Sequence, residues 1–280
     1  MTLFDPGPGP QPGAGVPSAA GAIIRLRLEL AYDGSGFRGF AAQAGQRTVA
    51  GVLADAIATV VRHPVTITCA GRTDAGVHAE GQVAHVDVRG EVDTARLQKS
   101  LNRMVGPEVV VRSLSVAPVG FDARRSARAR HYRYLVLQAA AADPLLRATC
   151  WHVAEELDLR TMMAGADVLV GEHDFRAFCR RPPGAAPGAP VVRRVLDARW
   201  SECRPLLGRL AAGERLLAFD VSAGSFCHQM VRSMVGTLVE VGRGRRSPAD
   251  VMALLRAGDR SHAMAVAPPH GLCLVSVDYA

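Results

Sequence analysis

The densest run of residues able to do chemistry is Gly71-Arg72-Thr73-Asp74-Ala75-Gly76-Val77-His78. Its glycines let the backbone turn tightly and come close to a ligand, and a carboxylate two residues from a guanidinium can be held ionised beside a cation. An ionised Asp74 is a nucleophile or a base, so it is the candidate catalytic group, with Arg72 next to it. The same eight residues also fit a surface β-turn with a local ion pair, and spacing alone does not choose between the two. A second run, Ser225-Phe226-Cys227-His228-Gln229-Met230-Val231-Arg232, opens an apolar helical stripe that continues through Met234, Val235, Leu238 and Val241. It fits either a core helix with Arg232 at its rim or a helix that aims Arg232 into a cleft, at a carboxylate or a phosphate.

Between Arg124 and Arg133 five arginines fall within ten residues, and the run continues as the strand Tyr132-Arg133-Tyr134. Arginine grips phosphate and a ring stacks on an unpaired base, so this mixture suits a nucleic-acid surface. The formal net charge of +7 favours a polyanionic partner. Lys99 is the sole lysine, so the clustering of arginines carries more weight than the total.

Three motifs point elsewhere and fail on context. Gly34-Ser35-Gly36-Phe37-Arg38-Gly39 matches G-x-G-x-x-G after a strand, yet the helical period begins only near Thr48, and Asp55 lies inside that helix instead of at a strand end. A Gly-rich turn is expected there, not a dinucleotide site. His78-Ala79-Glu80 imitates the H-x-E of zinc deaminases, but no P-C-x-x-C follows. The six cysteines, Cys69, Cys150, Cys179, Cys203, Cys227 and Cys273, never form C-x-x-C, so neither a zinc knuckle nor a redox pair is expected and a reducing compartment fits.

These residues need elements to hold them. Residues 1–22 are rich in Pro, Gly and Ala with Asp5 as the only charge, and are expected to form a disordered tail. Alternation of Ile24, Leu26, Leu28, Leu30 and Tyr32 with polar neighbours predicts a half-buried strand. Helical spacing of Val49, Val52, Leu53, Ala56, Ile57 and Val60 predicts a helix capped by Thr48. Strands are predicted over 65–70 and 82–88 on either side of the Asp74 loop, then a helix over 94–104 and a strand over 109–114. The second half is predicted to contain strands at 131–137, 195–200, 215–221 and 272–279, helices at 157–169 and 225–241, and a short helix after Ser247-Pro248. A mobile loop is expected at 181–190. The tail is thus followed by an N-terminal α+β subdomain, 23–118, and a C-terminal one, 119–280, expected to share a sheet with a cleft between them. No run of about 18 apolar residues occurs and no secretory signal is visible, so a cytoplasmic protein with no membrane partner is expected.

Taken together the chain resembles the tRNA pseudouridine synthase A family, from about Ile23 to Tyr279. The run Gly71 to His78 is similar to that family's active-site motif, which places the catalytic Asp on Asp74. The stretch Arg130-His131-Tyr132-Arg133-Tyr134 places the substrate-contacting tyrosine on Tyr132, and Met230-Val231-Arg232 with Val235-Gly236 places the partner of the catalytic Asp on Arg232. Gly171 to Phe175 and Gly271 to Tyr279 also resemble family segments. Where the family has Gly-Trp-Gln this chain has Gly39-Phe40-Ala41, and Ala50 stands where a Gln is common, in a region expected to meet RNA. The resemblance implies two ferredoxin-like α+β halves sharing a mainly antiparallel sheet, with helices outside and a central basic cleft. It also implies isomerisation of uridine at positions 38, 39 and 40 of the tRNA anticodon stem-loop by a homodimer needing no cofactor or metal. Asp74 would attack C1′ or C6 of a flipped uridine, Arg72 would fill the vacated stack or hold a phosphate, Arg232 would keep Asp74 ionised, and Tyr132 would pack on the base and help remove the C5 proton.

Overall fold

Strand β1 (Ile23–Tyr32) begins the sheet because alternate residues lie on opposite faces of a strand: Leu26, Leu28 and Leu30 are fully buried while Arg25, Arg27 and Glu29 carry charge on the other side. In the computed structural model, which describes residues 21–180, 184, 188–205, 209–259 and 266–280, it is followed by α1 (Val49–Val61), β2 (Ile67–Cys69), β3 (His78–Arg89), α2 (Thr94–Val105) and β4 (Val109–Val116). Then come β5 (Ala129–Gln138), β6 (Trp151–Val153), α3 (Leu159–Asp167), β7 (Gly171–Asp174), β8 (Val192–Cys203), β9 (Arg215–Ala223), α4 (Met230–Gly242), α5 (Pro248–Ala257) and β10 (Leu272–Asp278). The expected tail, as far as residue 20, and residues 181–183 and 185–187 of the expected loop lie outside the described residues.

The strands form one ten-stranded sheet in the order β4-β1-β3-β10-β5-β9-β8-β7, with β2 on β3 and β6 on β5. All pairings are antiparallel except β10 with β3 and β6 with β5. A repeat invisible in the sequence emerges from this order. With β6, β7 and α5 set aside, β1-α1-β2-β3-α2-β4 and β5-α3-β8-β9-α4-β10 share the βαββαβ succession of ferredoxin-like folds, and in each half the fourth strand lies beside the first and the first beside the third. The halves join where β10 meets β3, with Cys273 opposite His78 and Leu274 opposite Ala79. His78 follows the Asp74 loop directly, so that loop lies at the joint.

One apolar cluster runs through both halves. Leu26, Leu28 and Leu30 share it with Leu53 and Ile57 of α1, Leu97 and Leu101 of α2, and Met234, Val235 and Leu238 of α4. Each such side chain contributes about 1.5–3 kcal/mol on burial, so the joint is held by core packing as well as by strand pairing.

Helix boundaries follow their caps. The Thr48 hydroxyl accepts the Gly51 N–H, Asp158 accepts those of Arg160 and Thr161 and so starts α3 two residues later than its periodicity predicts, and Ser247 with Asp250 forms a capping box ahead of α5. The strands β6 and β7, three and four residues long, are too short to show a period in the sequence. The largest departure is at α4, predicted from Ser225 but beginning at Met230. Gln229 takes a left-handed conformation, φ 64°, which no continuous α-helix passes through, and the His228 carbonyl accepts the Arg180 N–H at 2.9 Å. Residues 225–229 are therefore a loop at the entrance to α4.

Candidate active site

The Asp74 loop is held from three directions. Beneath it, the Gly-rich segment 34–40 makes a short 3₁₀ turn at Gly34–Gly36 and then runs against the loop backbone. The Gly76 N–H donates to Phe37 O at 3.3 Å, the Phe40 N–H to Thr73 O at 3.1 Å, and the Gly34 N–H to His78 Nδ1 at 3.1 Å. Gly39 has φ +99° and a Cβ there would lie 2.9 Å from Thr73 O, so this G-x-G-x-x-G serves close backbone approach and not a nucleotide. From the sheet, the fully buried Gln82 donates through Nε2 to Gly71 O at 2.6 Å and to the Tyr32 hydroxyl at 3.3 Å, and its Oε1 accepts the Gly71 N–H at 3.4 Å. The Tyr32 hydroxyl lies 2.8 Å from that of Thr73. Burial pushes the Tyr32 phenol far up from its ordinary value, so it stays a neutral hydrogen-bonding post.

The third hold is electrostatic and comes from the other half of the chain. Arg232, in the first turn of α4, donates from Nη1 to Asp74 Oδ2 at 2.8 Å and from Nε to Ala267 O at 2.8 Å. With side-chain exposures of 12% for Arg232 and 22% for Asp74, the pair is shielded yet open to a ligand on one side. Asp74 is thus not the acid of a local surface turn, because its partner is 158 residues away. Arg72 is exposed and has no carboxylate partner among the described residues, which leaves its guanidinium at the surface beside the loop.

Tyr132 of β5 is buried, its ring edge-on to Phe226 with centroids 5.2 Å apart. Its hydroxyl lies 3.4 Å from where a Gly71 Cβ would stand. Burial, with smaller contributions from Cys69 and Asp74, pushes its phenol up, so it carries its proton at neutral pH. Residue types and spacing did not single out His228. Its Nε2 lies 3.4 Å from Asp74 Oδ1, on the oxygen Arg232 leaves open. The only signal in the sequence was its position four residues before Arg232.

The arginine run divides into two roles. Arg124, Arg125 and Arg128 are exposed, as a phosphate-gripping surface requires. Arg130 is 7% exposed, and its guanidinium donates to the carbonyls of Ala70, at 2.9 and 3.3 Å, Arg124 at 2.8 Å, Ala127 at 3.1 Å and Gly224. Ala70 precedes the Asp74 loop and Gly224 precedes the His228 loop, so Arg130 clamps the two together. Burial lowers its pKa, but a guanidinium keeps its proton and the carbonyls satisfy it. Arg133 is paired with Asp220 at 2.8 Å. The expectation of a five-arginine phosphate surface is corrected accordingly, because Arg130 faces inward among carbonyls and Arg133 is occupied by a carboxylate.

Two further expectations change. Phe40 and Ala50 are 1% and 5% exposed, and Phe40 packs against Tyr32 with centroids 6.0 Å apart, so these two departures from the family pattern sit in the core, whereas Ala41 is only half-buried. No cysteine pairing was expected, yet Cys179 and Cys227 form a disulfide, Cα atoms 5.7 Å apart, tying the segment after β7 to the loop before α4. Partners 48 residues apart leave no spacing signature. Among the described residues no group of three or more His, Cys, Asp or Glu is arranged to hold a metal ion, and no helix is long and apolar enough to cross a membrane. A hollow of about 680 Å³ lined by Leu157, Asp158, Arg160, Met163, Arg215 and Arg243 includes none of the residues gathered at Asp74.

Comparison with known proteins places this arrangement. A family model described as tRNA pseudouridine synthase matches residues 30–124 and 166–280. The tRNA pseudouridine synthase A of Frankia casuarinae is 47% identical over 259 residues, covering 92% of this chain and 90% of that protein. The proteins of the same name from Streptomyces avermitilis and Mycobacterium leprae are 43% and 41% identical, covering 92% and 91% of this chain and 88% and 90% of their own lengths. Among solved structures, a Cbf5-Nop10-Gar1 complex aligns with 76% of this chain and 45% of its own at 14% identity and a TM-score of 0.31, too loose a likeness to bear on function. With the motif residues converging at one carboxylate and close relatives matching along most of its length, the chain belongs to the tRNA pseudouridine synthase family, isomerases that convert uridine to pseudouridine in tRNA.

Proposed function

We propose that this enzyme isomerises uridine at positions 38, 39 and 40 of the tRNA anticodon stem-loop, with Asp74 as its nucleophile. The observation that carries the reading is the grip of Arg232 on Asp74 at 2.8 Å across the joint of the two halves, in a partly shielded setting. That contact fixes the carboxylate in place with one oxygen on the guanidinium and the other left facing outward, and a carboxylate so positioned is a group able to attack. The reaction breaks the C1′–N1 bond, turns the uracil and forms C1′–C5, with a proton leaving C5 and another arriving at N1. It involves no net oxidation, so a nucleophile, a cation and a proton acceptor suffice.

A stacked uridine hides the reacting atoms, and turning it out costs roughly a few kcal/mol. Arg72, exposed beside the loop, is placed in this reading to fill the gap left in the stack or to hold a phosphate. Tyr132 supplies a flat wall for the base. Residues 23–118 and 119–280 act as two subdomains, one contributing Asp74 and the other Tyr132 and Arg232. The family likeness supports a homodimer in which one tRNA touches both subunits, and a tRNA substrate is consistent with a cytoplasmic enzyme. Sedimentation equilibrium decides the oligomeric state.

The test is Asp74→Ala assayed by release of tritium from 5-tritiated uridine in transcribed tRNA, with transcripts carrying U at only one of the three positions. The variant is expected to bind tRNA and release no tritium, while the unaltered enzyme modifies each of the three. Turnover by Asp74→Ala overturns the nucleophile, and modification at other positions overturns the assigned sites.

A further inference from the structure

The isomerisation needs a group that takes the proton from C5, and the side chains around Asp74 differ in their ability to do so. Arg232 does not give up its proton, so it cannot accept one. The Tyr132 phenol is buried and pushed up, so it is protonated at rest. His228 has a ring nitrogen at the carboxylate, Nε2 3.4 Å from Asp74 Oδ1, and among the described residues no hydrogen bond is made to its Nδ1. Its side chain is 48% exposed, against 22% for Asp74, so the ring reaches from the reaction centre towards solvent. Imidazole is the side chain that takes and returns a proton most readily near neutral pH.

The fold holds the ring there. The His228 carbonyl is fixed by the Arg180 N–H at 2.9 Å, the neighbouring Cys227 is tied to Cys179, and Gln229 at φ 64° turns the chain so that His228 from the loop and Arg232 from the first turn of α4 both approach Asp74. Arg232 takes Oδ2 and His228 faces Oδ1.

We infer that His228 is a second catalytic residue, the base that removes the C5 proton of the rejoined uracil and passes it to solvent. This rests on the reading of Asp74 as nucleophile. Whether Asp74 engages C1′ or C6, C5 is bonded to that atom once the base has rejoined the sugar, which brings it within reach of a base lying against the same carboxylate. In the step the C5–H bond breaks and its proton goes to Nε2, the electron pair forms the C5=C6 bond, and the C6=N1 pair moves onto N1, which takes a proton from solvent. The imidazolium then loses a proton to water, and exchange with solvent restores the tautomer whose Nε2 is free to accept again.

His228→Ala and His228→Gln are compared with the unaltered enzyme on transcribed tRNA carrying 5-protio or 5-deuterio uridine. Removal of a positioned base is expected to lower kcat by about 10²–10⁴-fold, with tRNA affinity unchanged. The protio-to-deuterio rate ratio is expected to rise above that of the unaltered enzyme, because C5 proton loss becomes slower. Free imidazole is expected to restore part of the activity of His228→Ala, since the site is half open, and none to Asp74→Ala. A kcat within threefold of the unaltered enzyme overturns the inference, as does a loss with no change in the isotope ratio and no rescue, which marks a purely structural histidine. Full activity of Asp74→Ala in the same assay would refute the nucleophile reading instead, so the two failures are separable.

Discussion

Replacing Arg130 with methionine keeps most of the side chain's volume and removes every donor. In the structure that guanidinium serves the carbonyls of Ala70, Arg124, Ala127 and Gly224. The contact to Ala70 is buried and the other three are part-buried; a buried carbonyl left without a partner costs roughly 1–3 kcal/mol, the part-buried ones less because water reaches them, and losses that share one donor group do not add fully. Against this, the variant no longer takes a guanidinium out of water, which itself costs several kcal/mol. The balance is a destabilisation of about 2–4 kcal/mol, and at about 2 °C per kcal/mol for a chain of this size the midpoint falls by roughly 4–8 °C. Activity should fall further than stability at temperatures where the variant is folded, because Ala70 and Gly224 lead into the loops that carry Asp74 and His228. Calorimetry, urea unfolding and tritium release together check this. If the midpoint stays put while tRNA affinity drops and the slope of log affinity against log salt shrinks by about 0.7–0.9, Arg130 binds a phosphate and the clamp is refuted.

The exposed arginines should behave in the opposite way. Exchanging Arg124, Arg125 and Arg128 together for glutamine is expected to leave the unfolding midpoint within about 1 °C and to flatten the salt dependence of tRNA binding by roughly 2–3 in slope, read by filter binding at several salt concentrations. His85 provides a pH test of the fold. It is 6% exposed, its Nδ1 accepts the Ala123 N–H at 3.0 Å, and burial, aided by the charge of Arg25, lowers its pKa. A histidine with a lowered folded pKa binds its proton more readily in the unfolded chain, so stability falls as pH drops below its unfolded value of about 6.5. His85→Asn should flatten that fall in urea titrations at successive pH values; an unchanged profile would show that another group governs it.

Much of the fold was legible because its physics is local. The alternation from Ile24 to Tyr32 predicted β1 within one residue, and the Thr48 cap and the spacing behind it predicted α1. The Asp74 loop was legible as well, since glycines, an arginine and a carboxylate crowd into eight residues between two strands. Only resemblance paired Asp74 with Arg232. Local spacing pointed to Arg72, and no feature of either segment states a separation of 158 residues.

The misread elements depend on contacts far along the chain. Arg130 carries the same charge in the sequence as Arg128, yet one lies among carbonyls of its own turn and of two segments 60 and 94 residues away, and the other in water. Residues 225–229 have helical periodicity, but the Arg180 N–H and the Cys179 cross-link hold them as a loop and so bring His228 to the carboxylate. Composition and spacing by themselves determined most element types, the core faces and the position of the Gly-rich Asp74 loop, because those follow from side-chain period and backbone freedom. Which cation meets which carboxylate, and which arginine is buried, was decided only when β10 joined β3 and brought the two halves together, because burial and pairing are properties of positions in space and not of neighbours in the chain.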